Sequence, residues 1–173
     1  AVNTSINMSD ITKWSINTDS AQLTASSDWF KVKSQKFEGR DLDGVAFWQS
    51  EVIDISGHQS VSLSVDVNES GKHENLDFLH LEYAVNGGAF VSIANQQGNS
   101  ANAYTLVGDF TSVQVNENIT SGDTLVIRVS MLNNSGSEYI SFDNVTVTAG
   151  ADNNGGGDNG NGGEPTDPDN GSP

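Results

Sequence analysis

Cysteine is absent from this chain of 173 residues, and basic residues are scarce, with seven Lys and Arg against 23 Asp and Glu. Without cysteine the chain can form no disulfide, thiolate metal site or cysteine nucleophile. Its formal net charge of −16 argues against general binding to nucleic acid or to anionic membranes, since both depend on cations that neutralise phosphates. The same acidity favours divalent cations as partners.

Long apolar runs are missing as well. No stretch reaches the roughly 18 apolar residues that suggest a membrane-spanning helix, so we predict no membrane span. The chain begins Ala1-Val2-Asn3, with neither a basic start nor an apolar signal segment, as in a mature secreted protein after signal-peptide removal. Cysteine-free chains of this kind are common among secreted bacterial proteins, and we therefore expect an extracellular bacterial protein.

Proline is confined to the end of the chain. The three prolines all follow Ala149, together with a tract rich in Gly, Asn and Asp. Such a composition buries too little apolar surface to offset the entropy of ordering. We therefore divide the chain into a folded module over 1–149 and a disordered linker over 150–173, and we expect the linker to join a further domain.

The dominant pattern before the linker is an alternation of apolar and polar residues, which predicts antiparallel strands with one solvated face. It is clearest over 60–67, 78–85 and 124–131. No window has a helical stripe. Weaker strands are predicted over six further segments: 13–16, 22–24, 29–37, 46–55, 90–93 and 104–115.

Short strands separated by Gly and Asn turns predict an all-β protein. One such turn, Asn86-Gly87-Gly88, has the composition of a β-hairpin. We predict an antiparallel β-sandwich, with a jelly roll as the first choice of topology and an immunoglobulin-like sandwich as the second.

A broken alternation marks the last predicted strand, over 139–148. One extra residue must be absorbed near Asp143 and Asn144 if all its apolar side chains are to face one core, which predicts a β-bulge. The alternative is a turn that merely caps the strand. The apolar residues on the two sides have opposite parity: Ile140 and Phe142, then Val145 and Val147.

Three acidic groups lie at predicted strand edges and offer the oxygen ligands that calcium prefers. If these segments meet in the fold, a bound cation would offset the repulsion between their carboxylates. We therefore predict a structural calcium site, the alternative being ordinary solvated acids in turns. The six candidate ligands are Glu38, Asp41 and Asp43, then Glu74 and Asp77, and finally Asp143.

Aromatic and basic residues suggest a ligand site. Trp29 and Trp48 are the aromatic side chains best placed for stacking on a sugar ring, although either could instead belong to the core. Lys31 and Lys33 share a strand face beside Trp29, which would suit an acidic polysaccharide such as a uronate or sulfated glycan. His73 adds a hydrogen-bonding side chain from a loop. The competing interpretation is that the cations only neutralise neighbouring acidic loops.

Recognisable catalytic motifs are missing. The chain has no Gly-x-Ser-x-Gly, no His-Glu-x-x-His and no phosphate-binding Gly-rich loop. Paired carboxylates could serve a small hydrolase, but the acids lie in predicted turns. We therefore expect a protein that is not an enzyme.

Two segments carry a family resemblance: the hairpin Glu82-Tyr83-Ala84-Val85-Asn86-Gly87-Gly88 and the closing strand Phe142-Asp143-Asn144-Val145. Over residues 29–148 the chain resembles the calcium-stabilised jelly-roll accessory modules of secreted bacterial multidomain proteins. These modules are similar to carbohydrate-binding modules, and more loosely to MAM and reelin-type repeats. The resemblance implies structural calcium at Asp143 and Glu38, extending to Asp41 and Asp77.

Together these features predict a secreted, non-catalytic, calcium-stabilised module that binds a polysaccharide, with an acidic one favoured. The alternative is an adhesion or spacer domain of a secreted nuclease, peptidase or polysaccharide-degrading enzyme, with no sugar affinity of its own. Both remain open at this point because carbohydrate binders, protein binders and accessory domains share this type of fold.

Overall fold

The structure is a computed structural model that describes residues 3–93 and 112–150, together with the backbone of 105–107. The predicted linker beyond Gly150 lies outside the described residues. Within the described residues every regular element is a strand, and no helix there is long and apolar enough to cross a membrane. The strands are β1 (Thr4–Ser5), β2 (Trp14–Asn17), β3 (Trp29–Lys33), β4 (Lys36–Arg40), β5 (Ala46–Ser50), β6 (Ile53–Asp54), β7 (Ser60–Ser70), β8 (Phe78–Val85), β9 (Val91–Ser92), β10 (Thr105–Val107), β11 (Val113–Thr120), β12 (Thr124–Leu132) and β13 (Tyr139–Ala149).

The strands form two antiparallel sheets that pack face to face. Sheet A has the order β11-β7-β13-β4-β3, with β1 also paired to β13. Sheet B has the order β10-β8-β12-β5-β2, with β6 paired to β12 and β9 paired to β8. From β4 onward the chain changes sheet repeatedly: β4, β7, β11 and β13 belong to sheet A, and β5, β8 and β12 to sheet B. The predicted β-sandwich is confirmed, and this alternation is the jelly-roll connectivity that we preferred to the immunoglobulin-like one.

Alternate residues of each long strand face the space between the sheets and form the core. In β12, Leu125, Ile127 and Val129 are fully buried, as the period-two pattern predicts. Aromatic rings fill the middle of this core, where Phe142 of sheet A packs edge-on against Trp48 of sheet B with ring centroids 5.1 Å apart. The two sheets are thereby held together through their apolar faces, which leaves their other faces for function.

The bulge in the closing strand is confirmed. Asp143 lies opposite Asp66 in β7, but Thr146 lies opposite Ser64, so the register shifts by one residue between them. Asn144 absorbs the shift with a positive φ of 50°. As a result the apolar residues on both sides of the bulge face one core and are at most 1% exposed: Ile140, Phe142, Val145 and Val147.

Several strand predictions differ from the structure in detail. The segment 29–37 is the start of a hairpin, because the chain turns at Ser34 and Gln35 between β3 and β4. The segment 46–55 is divided between β5 and β6, and residues 22–24 form no strand. In the segment 104–115, the structure contains the backbone of β10 and the start of β11, and residues 108–111 lie outside the described residues.

Candidate ligand face and buried metal-ligating cluster

The outward-facing side chains of sheet A form a continuous polar surface, which we call the ligand face. Strand register arranges these side chains in three rows that run from β3 across β4 and β13 to β7. The first row contains Trp29, Arg40, Tyr139 and Ser70, the second contains Lys31, Glu38, Ser141 and Asn68, and the third contains Lys33, Lys36, Asp143 and Asp66.

Two aromatic rings occupy the first row. Trp29 and Tyr139 have ring centroids 6.2 Å apart and an interplanar angle of 48°, and both side chains are half-buried. The indole Nε1 of Trp29 donates a hydrogen bond to Oε1 of Glu38 at 2.9 Å. This bond fixes the orientation of a partly exposed indole ring, so the cost of ordering it on binding a ligand is reduced.

Three cations surround the Trp29 ring. The Nζ atoms of Lys33 and Lys31 lie 4.3 and 5.5 Å from the ring centroid, and Cζ of Arg40 lies 4.8 Å from it. Arg40 is held in place because its Nε donates to the carbonyl oxygen of Gly136 at 2.8 Å, whereas both lysines are exposed. Lys31, Lys33 and Arg40 therefore form a positive region around Trp29 on a protein of net charge −16.

The third row leads to a cavity of about 300 Å³ on the same face. It is lined by Lys36, Asp66, Asp143 and Asn144, and Nδ2 of Asn144 donates to Oδ2 of Asp66 at 2.7 Å. Asp143 and Asn144 also line a second cavity of about 490 Å³, whose walls include Ser5, Asn7, Ser9 and Gln35. The bulge thus presents Asp143 to two cavities.

A separate group of side chains lies buried where two loops meet, and we call it the acid–histidine cluster. It consists of His73 and Asp77 from the β7–β8 loop and Glu138 from the β12–β13 loop. These residues are 7%, 1% and 2% exposed, and one potential ligand atom from each lies within 4.8 Å of the others. This arrangement could bind a metal ion.

The electrostatics of the cluster reflect the burial of acids. Burial, followed by repulsion from Asp77, raises the pKa of Glu138 from 4.5 to about 7. Burial also raises the pKa of Asp77, although the backbone N–H of Glu74 donates to its Oδ2 at 2.8 Å and opposes this rise. Carboxylates respond in this way when they leave water without a nearby cation.

The six predicted calcium ligands lie in separate places. Glu38 is on the ligand face, Asp41 and Asp43 follow β4 with positive φ angles of 51° and 47°, and Asp143 is at the bulge. Glu74 and Asp77 share the β7–β8 loop, where Glu74 is exposed and Asp77 is buried. Within the described residues, three potential metal ligands do lie close together. They are Asp77 and two residues outside the predicted calcium set, His73 and Glu138.

The predicted sugar-binding residues also separate. Trp29, Lys31 and Lys33 lie together on the ligand face, as described above. Trp48 is fully buried in the core, so neither face of its ring is free for a sugar, and we remove it from the ligand site. His73 has a fully buried side chain and belongs to the acid–histidine cluster, so it is likewise removed.

Glu138 was not predicted from the sequence as a potential metal ligand. This residue directly precedes β13 and lies in a polar turn, a position where a solvated acid is the ordinary expectation. Its cluster partners His73 and Asp77 are far away in the sequence, so no local spacing could have indicated their proximity.

The outer surface of sheet B has a different character. Arg128 is paired with Glu82, its Nη2 lying 2.6 Å from Oε2. Its Cζ lies 3.7 Å from the ring centroid of Phe90 and 5.4 Å from that of Phe47. Arg128 is therefore paired with an acid and packed against aromatic rings.

Comparisons with known proteins assign no family. No family model and no curated protein matches the chain. Among solved structures, the chain is similar to a CBM4 structure, with 14% identity, a TM-score of 0.48, and coverage of 79% of this chain and 86% of the other.

Two further structures have comparable similarity. One is TmCBM61 in complex with β-1,4-galactotriose, with 10% identity, a TM-score of 0.41, and coverage of 85% of this chain and 88% of the other. Another is the K3 cleaved adhesin domain of Lys-gingipain from Porphyromonas gingivalis, with 10% identity, a TM-score of 0.45, and coverage of 86% and 100%. At these identities and scores, the similarities assign neither a family nor a ligand to this chain.

Proposed function

We propose that this protein is a non-catalytic carbohydrate-binding module whose ligand face binds an acidic polysaccharide. The observation that carries the proposal is the half-buried Trp29 ring on that face, oriented by Glu38 and surrounded by three cations. An indole supplies a flat apolar surface with a polar edge, which matches the face of a pyranose ring and its hydroxyls.

The cations support an acidic ligand over a neutral one. Displacing an exposed Lys from an indole face costs only about 0.5–1 kcal/mol. A carboxylate or sulfate group on the ligand would offset this cost by pairing with Lys31 or Lys33. Arg40 would remain fixed to Gly136 and keep its charge near the aromatic pair.

We further propose that the module is secreted and joined through residues 150–173 to another domain. The composition of that segment, rich in Gly, Asn and Asp and containing all three prolines, supports the linker. In this arrangement the module would bring a partner domain to a polysaccharide. The alternative function is an adhesion or spacer domain without sugar affinity.

Calcium stabilisation is proposed for Asp143. The second cavity beside it is lined by Asp143, Asn144, the segment 5–9 and Gln35, whose side chains include carboxylate, amide and hydroxyl oxygens of the kinds that calcium prefers. Calcium should therefore raise the melting temperature of EDTA-treated protein. The rise should be lost in Asp143→Asn and kept in Asp77→Asn; its absence from the unmodified protein would contradict this proposal.

Affinity electrophoresis in gels containing alginate, polygalacturonate or a sulfated galactan tests the carbohydrate proposal, with neutral galactan as a comparison. We expect the acidic glycans to retard the protein. Trp29→Ala and the double variant Lys31→Gln/Lys33→Gln should each weaken the retardation by about tenfold or more. A tenfold loss corresponds to about 1.4 kcal/mol, and the few residues that dominate a binding site each contribute about 2 kcal/mol or more.

The double variant Lys13→Gln/Lys72→Gln is the matched control. It removes the same charge from exposed positions outside the ligand face, and it should be retarded like the unmodified protein. Equal weakening in this control would mean that only net charge matters. If no glycan retards the unmodified protein, the adhesion or spacer alternative replaces the proposal.

A further inference from the structure

The acid–histidine cluster joins two loops that connect the sheets. The β7–β8 loop leaves sheet A for sheet B, and the β12–β13 loop returns from sheet B to sheet A. The loops are in direct contact, because a Cβ atom added at Gly71 would lie 2.4 Å from the carbonyl oxygen of Ser137. Gly71 also has a φ of 101°, so glycine satisfies both requirements of this close approach.

The cluster concentrates negative charge in a buried place. Asp77 is 1% exposed, and its Oδ1 atom has no hydrogen-bond partner among the described residues. Within the same residues no Lys or Arg forms an ion pair with Asp77 or Glu138. Buried carboxylates require a cation, a proton or hydrogen-bond donors, and Asp77 Oδ1 is directed at neither solvent nor a protein donor.

The ring of His73 lies between acids on both of its nitrogen atoms. Nε2 lies 3.2 Å from Oε2 of Glu69 and 3.2 Å from the carbonyl oxygen of Ser70. Nδ1 lies 3.4 Å from Oδ2 of Asp77. A histidine whose N–H is directed at a carboxylate or a carbonyl presents its other nitrogen as a ligand atom, which is the usual arrangement around metal-bound histidines.

We propose that His73, Asp77 and Glu138 bind one divalent transition-metal ion of the zinc class, which links the two loops. Imidazole nitrogen together with carboxylate oxygen suits zinc and its neighbours, whereas calcium takes six to eight oxygen ligands. Three protein ligands with water in the remaining position satisfy zinc. The carbonyl oxygen of Ser70, 3.2 Å from Nε2, holds the ring of His73 in the orientation that directs Nδ1 toward the ion.

This site is distinct from the calcium proposed at Asp143 and does not depend on carbohydrate binding. Equilibrium dialysis of the EDTA-treated full chain against Zn²⁺ and against Ca²⁺ tests it directly. We expect one tightly bound zinc ion per chain. In Asp77→Asn the affinity for zinc should fall at least about tenfold. Glu74→Gln removes the same charge from an exposed residue of the same loop, and it should retain the zinc ion.

Histidine ring resonances in NMR provide a second measurement on the unmodified protein. The chain has three histidines, and zinc should shift the ring signals of His73 while those of His58 and His80 stay unchanged. The His73 ring signals show whether zinc binds the cluster even if Asp77→Asn fails to fold. Unshifted His73 signals would mean that protons alone neutralise the cluster and would overturn the proposal. Zinc retained at full affinity by a folded Asp77→Asn, or Ca²⁺ displacing Zn²⁺ at similar concentration, would also overturn it.

Discussion

Asn133 is the residue on which the β12–β13 loop depends. It is fully buried, and its side-chain Nδ2 donates to the carbonyl oxygens of Gly39 and Glu138 at 3.1 and 3.2 Å. Its Oδ1 accepts a bond from the backbone N–H of Leu42 at 3.2 Å. One amide group thereby holds together the end of β4, the loop after it and the residue before the closing strand.

Asn133→Ala should therefore lower the free energy of unfolding by about 2–4 kcal/mol, because it removes two buried hydrogen bonds to backbone carbonyl oxygens and the side-chain acceptor of the Leu42 N–H. Urea denaturation measures this change. The neighbouring exposed Asn134→Ala is the control and should change stability by no more than about 0.5 kcal/mol. Equal effects of the two variants would show that the hydrogen bonds of Asn133 do not hold the loop.

His80 is a half-buried base on the outer surface of sheet B. Burial lowers its pKa below the ordinary 6.5 and outweighs Glu82, which raises it, while Arg128 lowers it further. Its Nε2 lies 2.7 Å from the hydroxyl of Ser92 on β9. The folded state therefore favours the neutral imidazole.

This shift predicts a loss of stability in mild acid. Below pH 6.5 the unfolded chain binds a proton at His80 that the folded chain does not, so the free energy of unfolding falls as the pH drops from 6.5 toward the lower pKa of the folded state. Above 6.5 the contribution is fully present. Urea midpoints measured across this range should fall less steeply in His80→Gln, and an unchanged slope would contradict the assignment.

At the scale of elements, the bulge determines which face of β13 meets the core. Deleting Asn144 should move the apolar residues beyond it to the solvated side, and replacing it with Gly should be tolerated because its φ is 50°. We expect circular dichroism and thermal unfolding to show a folded Asn144→Gly variant and a deletion variant that does not fold cooperatively. A stable deletion variant would mean that the register is set elsewhere.

Both turn residues of the β3–β4 hairpin have positive φ angles, although neither is of a type that favours this conformation. Ser34 and Gln35 have φ angles of 49° and 68°, where Asn-Gly is preferred. The double variant Ser34→Asn/Gln35→Gly should raise the free energy of unfolding by about 1 kcal/mol in EDTA. The converse control is Gly87→Gln in the β8–β9 hairpin, where φ is 67° and the added side chain meets nothing; it should lower stability similarly. A lower stability of Ser34→Asn/Gln35→Gly would show that the positive φ angles at these two residues do not cost stability.

Strands with a regular alternation of apolar and polar residues could be predicted from the sequence. The strand β8 could be predicted over its full length, and β12 to within one residue, because both alternate strictly. The bulge was also predictable from parity. The β3–β4 hairpin was not, since Ser34-Gln35 has no turn signature and the tertiary structure imposes the conformation on it.

At the scale of the whole molecule, the functional sites depend on contacts that local patterns do not contain. Trp29, Lys31 and Lys33 could be grouped because they share one face of one strand. The cluster of His73, Asp77 and Glu138 could not, because it requires two loops that are far apart in the sequence to meet. Trp48 could not be assigned to the core or the surface until the pairing of β5 was known.

In the proposed function sheet A, and not sheet B, binds the carbohydrate. Two-dimensional amide and indole NMR of the isotope-labelled chain, titrated with a uronate oligosaccharide, tests it most directly. We expect the chemical-shift changes to concentrate on the Trp29 indole N–H and on residues of β3, β4 and the start of β13. Shifts concentrated around Arg128 and Phe90 on sheet B, or no shifts at saturating ligand, would contradict it.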